Sequence, residues 1–285
     1  MKLFGCTFVK NEEEMIPYVM PYIERLGYDK FVVYDDSSTD NTVEMLSKYP
    51  FVEIRYMEPT HSIREFDDRK SLIQANFFSE CWDYIHENSN EDVWMTFTDF
   101  DEVLYHQKQL SFRDCLKWAL IHKYNYFDGQ IIQLVPPKNF EEVSMKNMVE
   151  GGKLVHMIDG MRANLWSMNE CFKPTLMHVN SFERVFCTCG NHVMKAALVE
   201  GRIGRNLSEQ HFLTCFHLKY IDRDVVRKKV LHLKDGGIME HFDDTYYNSM
   251  IGASFPLELY FAYNCLTYPK LPEIGMCIYP AGTQF

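Results

Sequence analysis

The sequence predicts an α/β fold in which a mostly parallel sheet carries helices on both faces. Within the first hundred residues, four short apolar segments rich in β-branched and aromatic residues alternate with helical patterns. Because strands that are separated by helices pair in parallel, the order β-α-β-α-β-α-β favours this architecture. The predicted strands are residues 3–9, 31–34, 52–56 and 93–97.

The first predicted helix has both a start signal and a stop signal. Apolar residues recur at helical spacing from Met15 to Leu26, and Gly27 is a suitable C-terminal stop. Asn11 is the predicted N-cap, because the acidic residues that follow it suit the positive end of a helix dipole. Pro21 is expected to break or kink this helix.

The remaining elements are predicted from the same periodicities. In chain order they are a helix beginning at Val43, helices over about 67–86 and 110–124, strands over 129–135 and 212–216, and a basic helix over 222–233. Residues 138–165 are polar and mixed, so we expect a long loop region there.

Composition and charge restrict the classes of protein to which the chain can belong. Its 285 residues are 46% hydrophobic and 24% charged, which excludes a disordered or coiled-coil chain. The net charge of −11 argues against nucleic-acid binding, which needs a positive face. No apolar run reaches the ~18 residues of a membrane span, and the first apolar run is broken at Lys10, too early for a secretory signal. We therefore expect a cytoplasmic protein, with peripheral association at the cytoplasmic face of a membrane left open.

Two acidic clusters follow predicted strands. Asp35 and Asp36 follow the second strand, and Asp99, Asp101 and Glu102 follow the fourth. In open α/β sheets ligands bind at the carboxyl ends of the strands, so we expect both clusters to face one crevice. The alternative is that each cluster is a solvated loop or a helix cap.

The two interpretations apply differently to individual aspartates. For Asp40, which lies just before the second helix, a solvated loop or a helix cap is the preferred interpretation. For Asp101 a ligand-binding role is preferred, because two carboxylates on either side of one residue repel each other unless a cation or a substrate group compensates.

Three motifs occur in an order and spacing that are typical of one enzyme family. They are Val-Lys-Asn-Glu-Glu at 9–13, Asp-Asp-Ser-Ser-Thr-Asp-Asn-Thr at 35–42 and Asp-Phe-Asp-Glu at 99–102. Together they resemble glycosyltransferase family 2, and the third is similar to the smaller branch in which the acidic motif continues as Asp-x-Asp-Glu. The resemblance covers residues 1–105 and is faint beyond them.

This resemblance implies a GT-A fold, in which a nucleotide-binding sheet precedes an acceptor-binding half. We expect a domain over residues 1–235, with the nucleotide-sugar-binding half at 1–105, the acceptor half at 106–235, and a C-terminal extension of unknown role at 236–285. Family 2 enzymes transfer a sugar from a nucleoside diphosphate donor, usually with inversion. The expected reaction is therefore transfer from a nucleoside diphosphate sugar, in the first place a UDP-sugar, to a glycan or glycolipid acceptor.

The resemblance also implies roles for single residues. Asp101 is the expected ligand of a divalent metal on the diphosphate, and Asp99 is a second ligand or a contact to the ribose or donor sugar. Mn²⁺ or Mg²⁺ suits these carboxylates, since both ions accept oxygen ligands and neutralise the charge that develops on the leaving phosphate. The residues implied to line the base and ribose are Thr7, Val9, Asn11, Glu12 and Asp36.

Further candidates lie near the ends of other elements. His217 follows the strand over 212–216, where many metal-dependent relatives carry a histidine ligand, and the alternative is an ordinary strand-end histidine. Arg69 and Lys70 lie at the start of the long helix, where they are candidates for contacts to the diphosphate. The alternative for this pair is a solvated helix turn.

The catalytic base has several candidates. An inverting transfer needs a carboxylate or a histidine that accepts the proton of the acceptor hydroxyl. His192, in a Gly-Asn-His turn, and the carboxylates of Glu183 and Glu170 are the candidates, with His192 and Glu183 preferred. The Glu-Asp pair that is usual in family 2 is not evident here.

Two other functions are alternatives to the transferase. Residues 97–104 also resemble the first motif of haloacid-dehalogenase-type phosphatases, in which Asp99 would be the nucleophile and Asp101 the general acid. That family normally opens with this motif, whereas three strand–helix units precede it here. The second alternative is a non-catalytic nucleotide-sugar or carbohydrate-binding module with the same fold.

Overall fold

The computed structural model describes most of the first half of the chain and shorter parts of the second half. The described residues are 1–56, 69–87, 92–106, 111–133, 172–188, 193–204, 213–217 and 275–279. The loop predicted at 138–165 and the basic helix predicted at 222–233 lie outside these residues.

The chain divides into two compact units. The first comprises residues 1–131, 172–215 and 272–285, and the second comprises residues 132–171 and 216–271. Almost all of the described residues belong to the first unit, so the fold given below is that of the first unit. The domain boundaries expected from the sequence stay predictions.

The described residues form eleven strands and four α-helices. The strands are β1 (Lys2–Val9), β2 (Lys30–Asp35), β3 (Val52–Tyr56), β4 (Val93–Phe97), β5 (Glu102–His106), β6 (Tyr126–Gln133), β7 (Phe172–His178), β8 (Phe182–Thr188), β9 (Val193–Leu198), β10 (Leu213–His217) and β11 (Gly275–Tyr279). The helices are α1 (Ile16–Leu26), α2 (Thr42–Leu46), α3 (Arg69–Glu87) and α4 (Phe112–Ile121). None of these helices is both long and apolar enough to cross a membrane.

β1 lies at the centre of the parallel part of the main sheet. The strand order in this eight-stranded sheet is β3-β2-β1-β4-β7-β6-β10-β5. β1 pairs in parallel with β2 and β4, and β2 pairs in parallel with β3. β7 is antiparallel to both β4 and β6. The predicted α/β fold with a mostly parallel sheet is confirmed, and the chain passes from one side of β1 to the other between β3 and β4.

A smaller sheet contains β8, β9 and β11. Its order is β11-β9-β8. β8 and β9 are antiparallel, whereas β11 pairs in parallel with β9. β11 is the described part of the extension predicted at 236–285, and its pairing places that segment beside β9.

The N-cap predicted for the first helix is wrong and Pro21 does not break this helix, whereas a kink at Pro21 stays a prediction. α1 begins at Ile16 with Met15 at the N-cap position, and Asn11 lies outside the helix with a left-handed φ of 55°. Pro21 lies inside α1 and does not end it, because burial of the apolar face of α1 stabilises the helix around the missing hydrogen bond. Gly27 is the C-terminal stop as predicted, with a φ of 72° that glycine adopts without strain.

An aromatic core fixes α3 against the parallel strands. The ring of Phe77 packs edge-on against Tyr34 with 4.7 Å between ring centres, and Phe78 packs in the same way against Phe97 at 4.6 Å. All four side chains are buried. This packing fixes the strands whose carboxyl ends form the candidate site.

Gly5 allows two aromatic rings to pack closely against β1. A Cβ atom at Gly5 would lie 2.7 Å from Cε2 of Phe31 and 2.9 Å from Cε1 of Tyr28. Both rings are buried, and the Tyr28 hydroxyl shares a 2.8 Å hydrogen bond with Oγ1 of Thr96 on β4. A side chain at position 5 would have to displace these rings, so the packing requires glycine.

Candidate functional site

The carboxyl ends of β1, β2 and β4 lie along one edge of the main sheet. The parallel register places Val9 opposite Asp35 and Cys6 opposite Phe97. β1 is the point at which the strand order reverses, and in open α/β sheets ligands bind outside the carboxyl ends at such a point. Both acidic clusters that were predicted from the sequence follow these strand ends.

Lys10 and Asp36 form an ion pair between the ends of β1 and β2. Lys10 Nζ donates to Asp36 Oδ2 at 3.0 Å. The two side chains are 32% and 38% exposed, so a ligand can reach both. Lys10 was not among the predicted site residues. Its place in the motif at 9–13, directly after β1, is a sequence signal for it, but the register that makes it a neighbour of Asp36 is a property of the sheet.

Asp35 shapes the turn that presents Asp36. The Asp35 side chain is buried, and both of its carboxylate oxygens accept from the backbone N–H of Ser38, at 3.2 and 3.1 Å. Ser37, which lies between Asp35 and Ser38, adopts a left-handed φ of 58°. Asp35 therefore has a structural role, as aspartate often does in turns of this kind.

Asn11 joins the loop after β1 to the loop after β2. Its Oδ1 accepts from the N–H of Thr39 at 2.7 Å and from the Thr39 hydroxyl at 3.3 Å. Its own N–H donates to Oγ of Ser38 at 3.0 Å. Asparagine tolerates the left-handed backbone that this arrangement needs. The side chain predicted to contact the donor is thus engaged with the second loop.

Residues 12–13 continue this connection along the second loop. The N–H of Glu12 donates to Oγ1 of Thr42 at 2.7 Å. Glu13 Oε2 accepts from the N–H and from Nδ2 of Asn41, at 3.0 and 2.8 Å. We refer to residues 10–14 and 36–42 as the loop pair.

Asp40 accepts two backbone hydrogen bonds just before α2. Its carboxylate accepts from the N–H of Thr42 at 2.9 Å and from the N–H of Glu13 at 3.2 Å. Both of its oxygens therefore accept hydrogen bonds within the loop pair, which is a structural role, and the N-cap position of α2 is occupied by Asn41, whose side chain makes no capping hydrogen bond.

Thr7 and Val9 are buried within β1. Their relative exposures are 0% and 1%. Among the described residues Thr7 Oγ1 has no hydrogen-bond partner, and the Val9 carbonyl accepts from the N–H of Asp36 at 2.9 Å. Neither side chain is open to solvent, so their donor-binding roles stay predictions.

A closed turn follows β4. The N–H of Asp99 donates to Glu102 Oε2 at 2.9 Å, and the N–H of Glu102 donates to the carbonyl of Asp99 at 2.9 Å. Asp101 and Glu102 are buried, and Asp99 is half-buried. Glu102 thus uses its carboxylate to hold the turn in which Asp99 and Asp101 lie.

A polar cluster fastens α3 to β2 and β3, and it begins at Lys30, the first residue of β2, at the end of the strand away from this edge. Glu53 accepts from Lys30 Nζ at 2.6 Å, from the Tyr84 hydroxyl at 2.9 Å and from Arg55 Nε at 3.0 Å. The Arg55 guanidinium lies 3.7 Å from the centre of the Tyr84 ring. Burial opposes ionisation of Glu53, but the hydrogen bonds from Lys30, Arg55 and Tyr84 outweigh it and lower its pKa to about 2.

No described contact places the other predicted site residues at this edge. Glu183 is exposed on β8 in the smaller sheet, and His192 lies outside the described residues. His217 is the last residue of β10, and Arg69 and Lys70 begin α3, but the side chains of these three residues lie outside the description. Their roles stay predictions.

The comparison with protein families decides the class of the chain. The sequence profile of glycosyltransferase family 92 matches residues 6–250. The chain belongs to glycosyltransferase family 92. This family 92 chain contains the loop pair and both acidic clusters within the matched region. The enzyme class predicted from the motifs is confirmed, and the family that matches is family 92, whereas the resemblance to family 2 stays a prediction.

Comparison with individual proteins gives weaker likenesses. No curated protein has a sequence that matches that of this family 92 chain. The crystal structure of Staphylococcus aureus TarS 1–349 is 14% identical over 94% of this chain and 74% of that one, with a TM-score of 0.36. A longer S. aureus TarS structure is matched over 43% of its length, with a TM-score of 0.39.

Two synthases give likenesses of the same order. Glucosyl-3-phosphoglycerate synthase from Mycobacterium tuberculosis, solved with Mn²⁺, UDP and glucosyl-3-phosphoglycerate, is 14% identical over 64% of this chain and 58% of that one, with a TM-score of 0.31. Mannosyl-3-phosphoglycerate synthase from Rubrobacter xylanophilus is 11% identical over 86% of this chain and 77% of that one, with a TM-score of 0.35. Scores of this size carry no argument about the function of the family 92 chain.

Proposed function

We propose that this family 92 chain transfers a sugar from a nucleoside diphosphate sugar to a glycan or glycolipid acceptor, using a divalent cation. One observation carries the proposal. Asp36 follows β2 and the Asp99–Asp101 turn follows β4, so that these carboxylates flank β1 at the edge where α/β sheets bind ligands. In a glycosyltransferase this edge is the expected place for the nucleotide.

The Lys10–Asp36 pair is proposed to meet the nucleoside. Bases and ribose present hydrogen-bond donors and acceptors together, and this pair offers an acceptor and a donor 3.0 Å apart that are partly exposed. Asp36 is one of the residues expected to line the base and ribose. It carries a charge, and its side chain is exposed enough for a ligand to reach it. A uridine diphosphate sugar is the first donor to test.

Asp99 and Asp101 are proposed to hold Mn²⁺ or Mg²⁺. Their carboxylate oxygens are of the type that these ions prefer, and Glu102 holds the turn in which both lie. Within the described ranges no three metal-ligating side chains converge, so the two aspartates fit part of a coordination sphere. When bound, the cation would neutralise charge on the departing diphosphate. His217 stays a proposed additional ligand.

The proton of the acceptor hydroxyl needs a base if the transfer inverts configuration. Glu183 and His192 stay the proposed candidates, and no described contact places either of them at the carboxyl edge. The cytoplasmic location and any association with a membrane also stay proposals. The family match favours the transferase over the phosphatase alternative.

A thermal-shift panel tests the proposal. The purified chain is heated with UDP, GDP, CDP or dTDP, each with and without Mn²⁺. A ligand at 100 times its Kd stabilises a protein by about 2.7 kcal/mol, which is easily detected. We expect one nucleotide to stabilise the chain only in the presence of Mn²⁺. A folded chain that responds to none of the four would contradict the proposal.

A further inference from the structure

We propose that Asn11 and Glu13 are positioning residues, which hold the loop pair in the form that binds the nucleotide and do not themselves contact the donor. The inference rests on the proposed function. It assigns to Asn11 a role that differs from the donor contact implied by family resemblance, and it adds Glu13, which that resemblance did not single out.

The contacts of Asn11 leave its acceptor oxygen fully used. Oδ1 accepts two hydrogen bonds from Thr39, and the backbone N–H donates to Ser38. The backbone of Asn11 is left-handed, with a φ of 55°. A non-glycine residue is held in this region only when its surroundings determine it, and here the surroundings are the second loop.

Glu13 secures the other end of the same loop. Its Oε2 accepts twice from Asn41, the residue that precedes α2, and its N–H donates to Asp40. α2 has only five residues, so it has little stability of its own with which to fix its start. The bonds to Glu13 therefore determine where the second loop ends.

These two attachments enclose the residue proposed to meet the nucleoside. Asp36 and Ser37 lie between the end of β2 and the points at which Asn11 and Glu13 hold the second loop. Ser37 has a left-handed φ of 58°, which a free loop would leave. A loop fixed before binding does not have to lose conformational entropy on binding, so the attachments increase the affinity for a ligand of Asp36.

Matched variants separate positioning from direct contact. Asn11→Asp keeps an acceptor oxygen for Thr39 but removes the amide donor, whereas Asn11→Ala removes both. Glu13→Gln keeps an acceptor for Asn41, whereas Glu13→Ala does not. Glu44→Ala, on the exposed side of α2, is the control.

The first measurement is the Kd for the nucleoside diphosphate that the panel selects, with Mn²⁺. We expect both alanine variants to weaken binding about tenfold, as loss of one to two hydrogen bonds allows. We expect Asn11→Asp, Glu13→Gln and Glu44→Ala to bind within about twofold of the wild type. An Asn11→Asp variant as weak as Asn11→Ala would show that an acceptor oxygen for Thr39 is not sufficient and would overturn the proposal, as would alanine variants that bind like the wild type.

The second measurement is hydrogen exchange without nucleotide, which does not depend on the proposed function. We expect the amide of Thr39 to exchange faster in Asn11→Ala, and that of Asn41 in Glu13→Ala. The amide of Glu102, which donates to Asp99, should not change. Unchanged exchange at Thr39 and Asn41 would overturn the positioning role. The wild type could bind no nucleoside diphosphate while the variants show the expected exchange changes. That result would refute the proposed function and the nucleotide role, but it would establish the loop contacts.

Discussion

Lys10 Nζ donates to Asp36 Oδ2 at 3.0 Å, across the carboxyl ends of β1 and β2. The pairing of Val9 with Asp35 makes these two residues neighbours, because each is the first residue beyond its strand in the shared register. The pair is partly exposed at the switch point of the sheet. It therefore places a hydrogen-bond donor beside a hydrogen-bond acceptor at the edge of the sheet. The chain belongs to a glycosyltransferase family, in which this edge is the expected place for the nucleotide.

The ion pair is expected to contribute more to nucleotide binding than to stability. Exposed pairs of this kind contribute about 0.2–1 kcal/mol to the free energy of unfolding. Asp36→Asn should therefore lower that free energy by no more than about 1 kcal/mol while weakening nucleotide binding about tenfold. Urea unfolding and titration with the nucleotide measure the two effects. Lys48→Met, which breaks the exposed pair with Glu44, is the control and should leave nucleotide binding unchanged.

Asp101→Asn is expected to abolish metal-dependent nucleotide binding. The amide keeps the size of the carboxylate but removes the charge that a divalent cation needs. Asp83→Asn, on the exposed face of α3, should bind as the wild type does. The thermal shift with nucleotide and Mn²⁺ is the measurement, and circular dichroism checks that the variant folds. A normal shift in folded Asp101→Asn would rule out this residue as a metal ligand.

Gly5→Ala is expected to destabilise the fold by about 1–3 kcal/mol, as overpacking of a core does. The added methyl group would meet the buried rings of Phe31 and Tyr28. Urea unfolding gives the change in free energy. The double variant Gly5→Ala with Phe31→Leu should recover part of the loss, because the smaller side chain makes room. Strictly additive losses would show that the two sites are not in contact.

Stability is expected to fall as the pH drops below about 6.5. His178 is buried, and burial lowers its pKa from the ordinary value of 6.5 although Asp92 opposes the shift. Its Nδ1 shares a 2.8 Å hydrogen bond with Ser181, its Nε2 lies 3.3 Å from the Asp92 carboxylate, and the charge of Arg202 also lowers the pKa. The unfolded chain binds the proton more readily than the folded chain does. The contribution of His178 to the free energy of unfolding is therefore complete above pH 6.5, and it is lost as the pH falls through the lower pKa of the folded state.

Urea midpoints between pH 8 and pH 5 measure this dependence. His178→Gln should flatten the curve in the acidic part of the range, because glutamine does not titrate. A variant that shows the same decline as the wild type would assign the pH dependence to other groups.

Periodicity and strand-end chemistry were enough to predict the parallel half of the sheet. The strands at 52–56 and 93–97 coincide with β3 and β4, and the helix predicted at 67–86 is α3, displaced by one or two residues. These elements have apolar patterns that follow a single period, so local sequence determines them. β5 was not predicted, because its first residue, Glu102, belongs to an acidic cluster and the strand is short.

The details of the candidate site depend on contacts between residues far apart in the chain. Asn11 looks like a helix cap, but its hydrogen bonds to Thr39 hold it in a left-handed conformation five residues before α1. The motif at 9–13 contains Lys10 and Glu13 but does not give their roles, because their partners Asp36 and Asn41 become neighbours only when β1 and β2 pair. The motifs predicted the loops of the candidate site, and the register of the sheet determines which of their side chains become neighbours.

The most direct test of the central claim is the release of nucleoside diphosphate from UDP-, GDP-, CDP- and dTDP-sugars, with Mn²⁺ and with a mixture of glycan and glycolipid acceptors. The account predicts release from donors of one base, with transfer of the sugar to an acceptor, and loss of both with chelator or in Asp101→Asn. Binding without any release would indicate a non-catalytic module. Neither binding nor release, from a folded chain with metal present, would contradict the account.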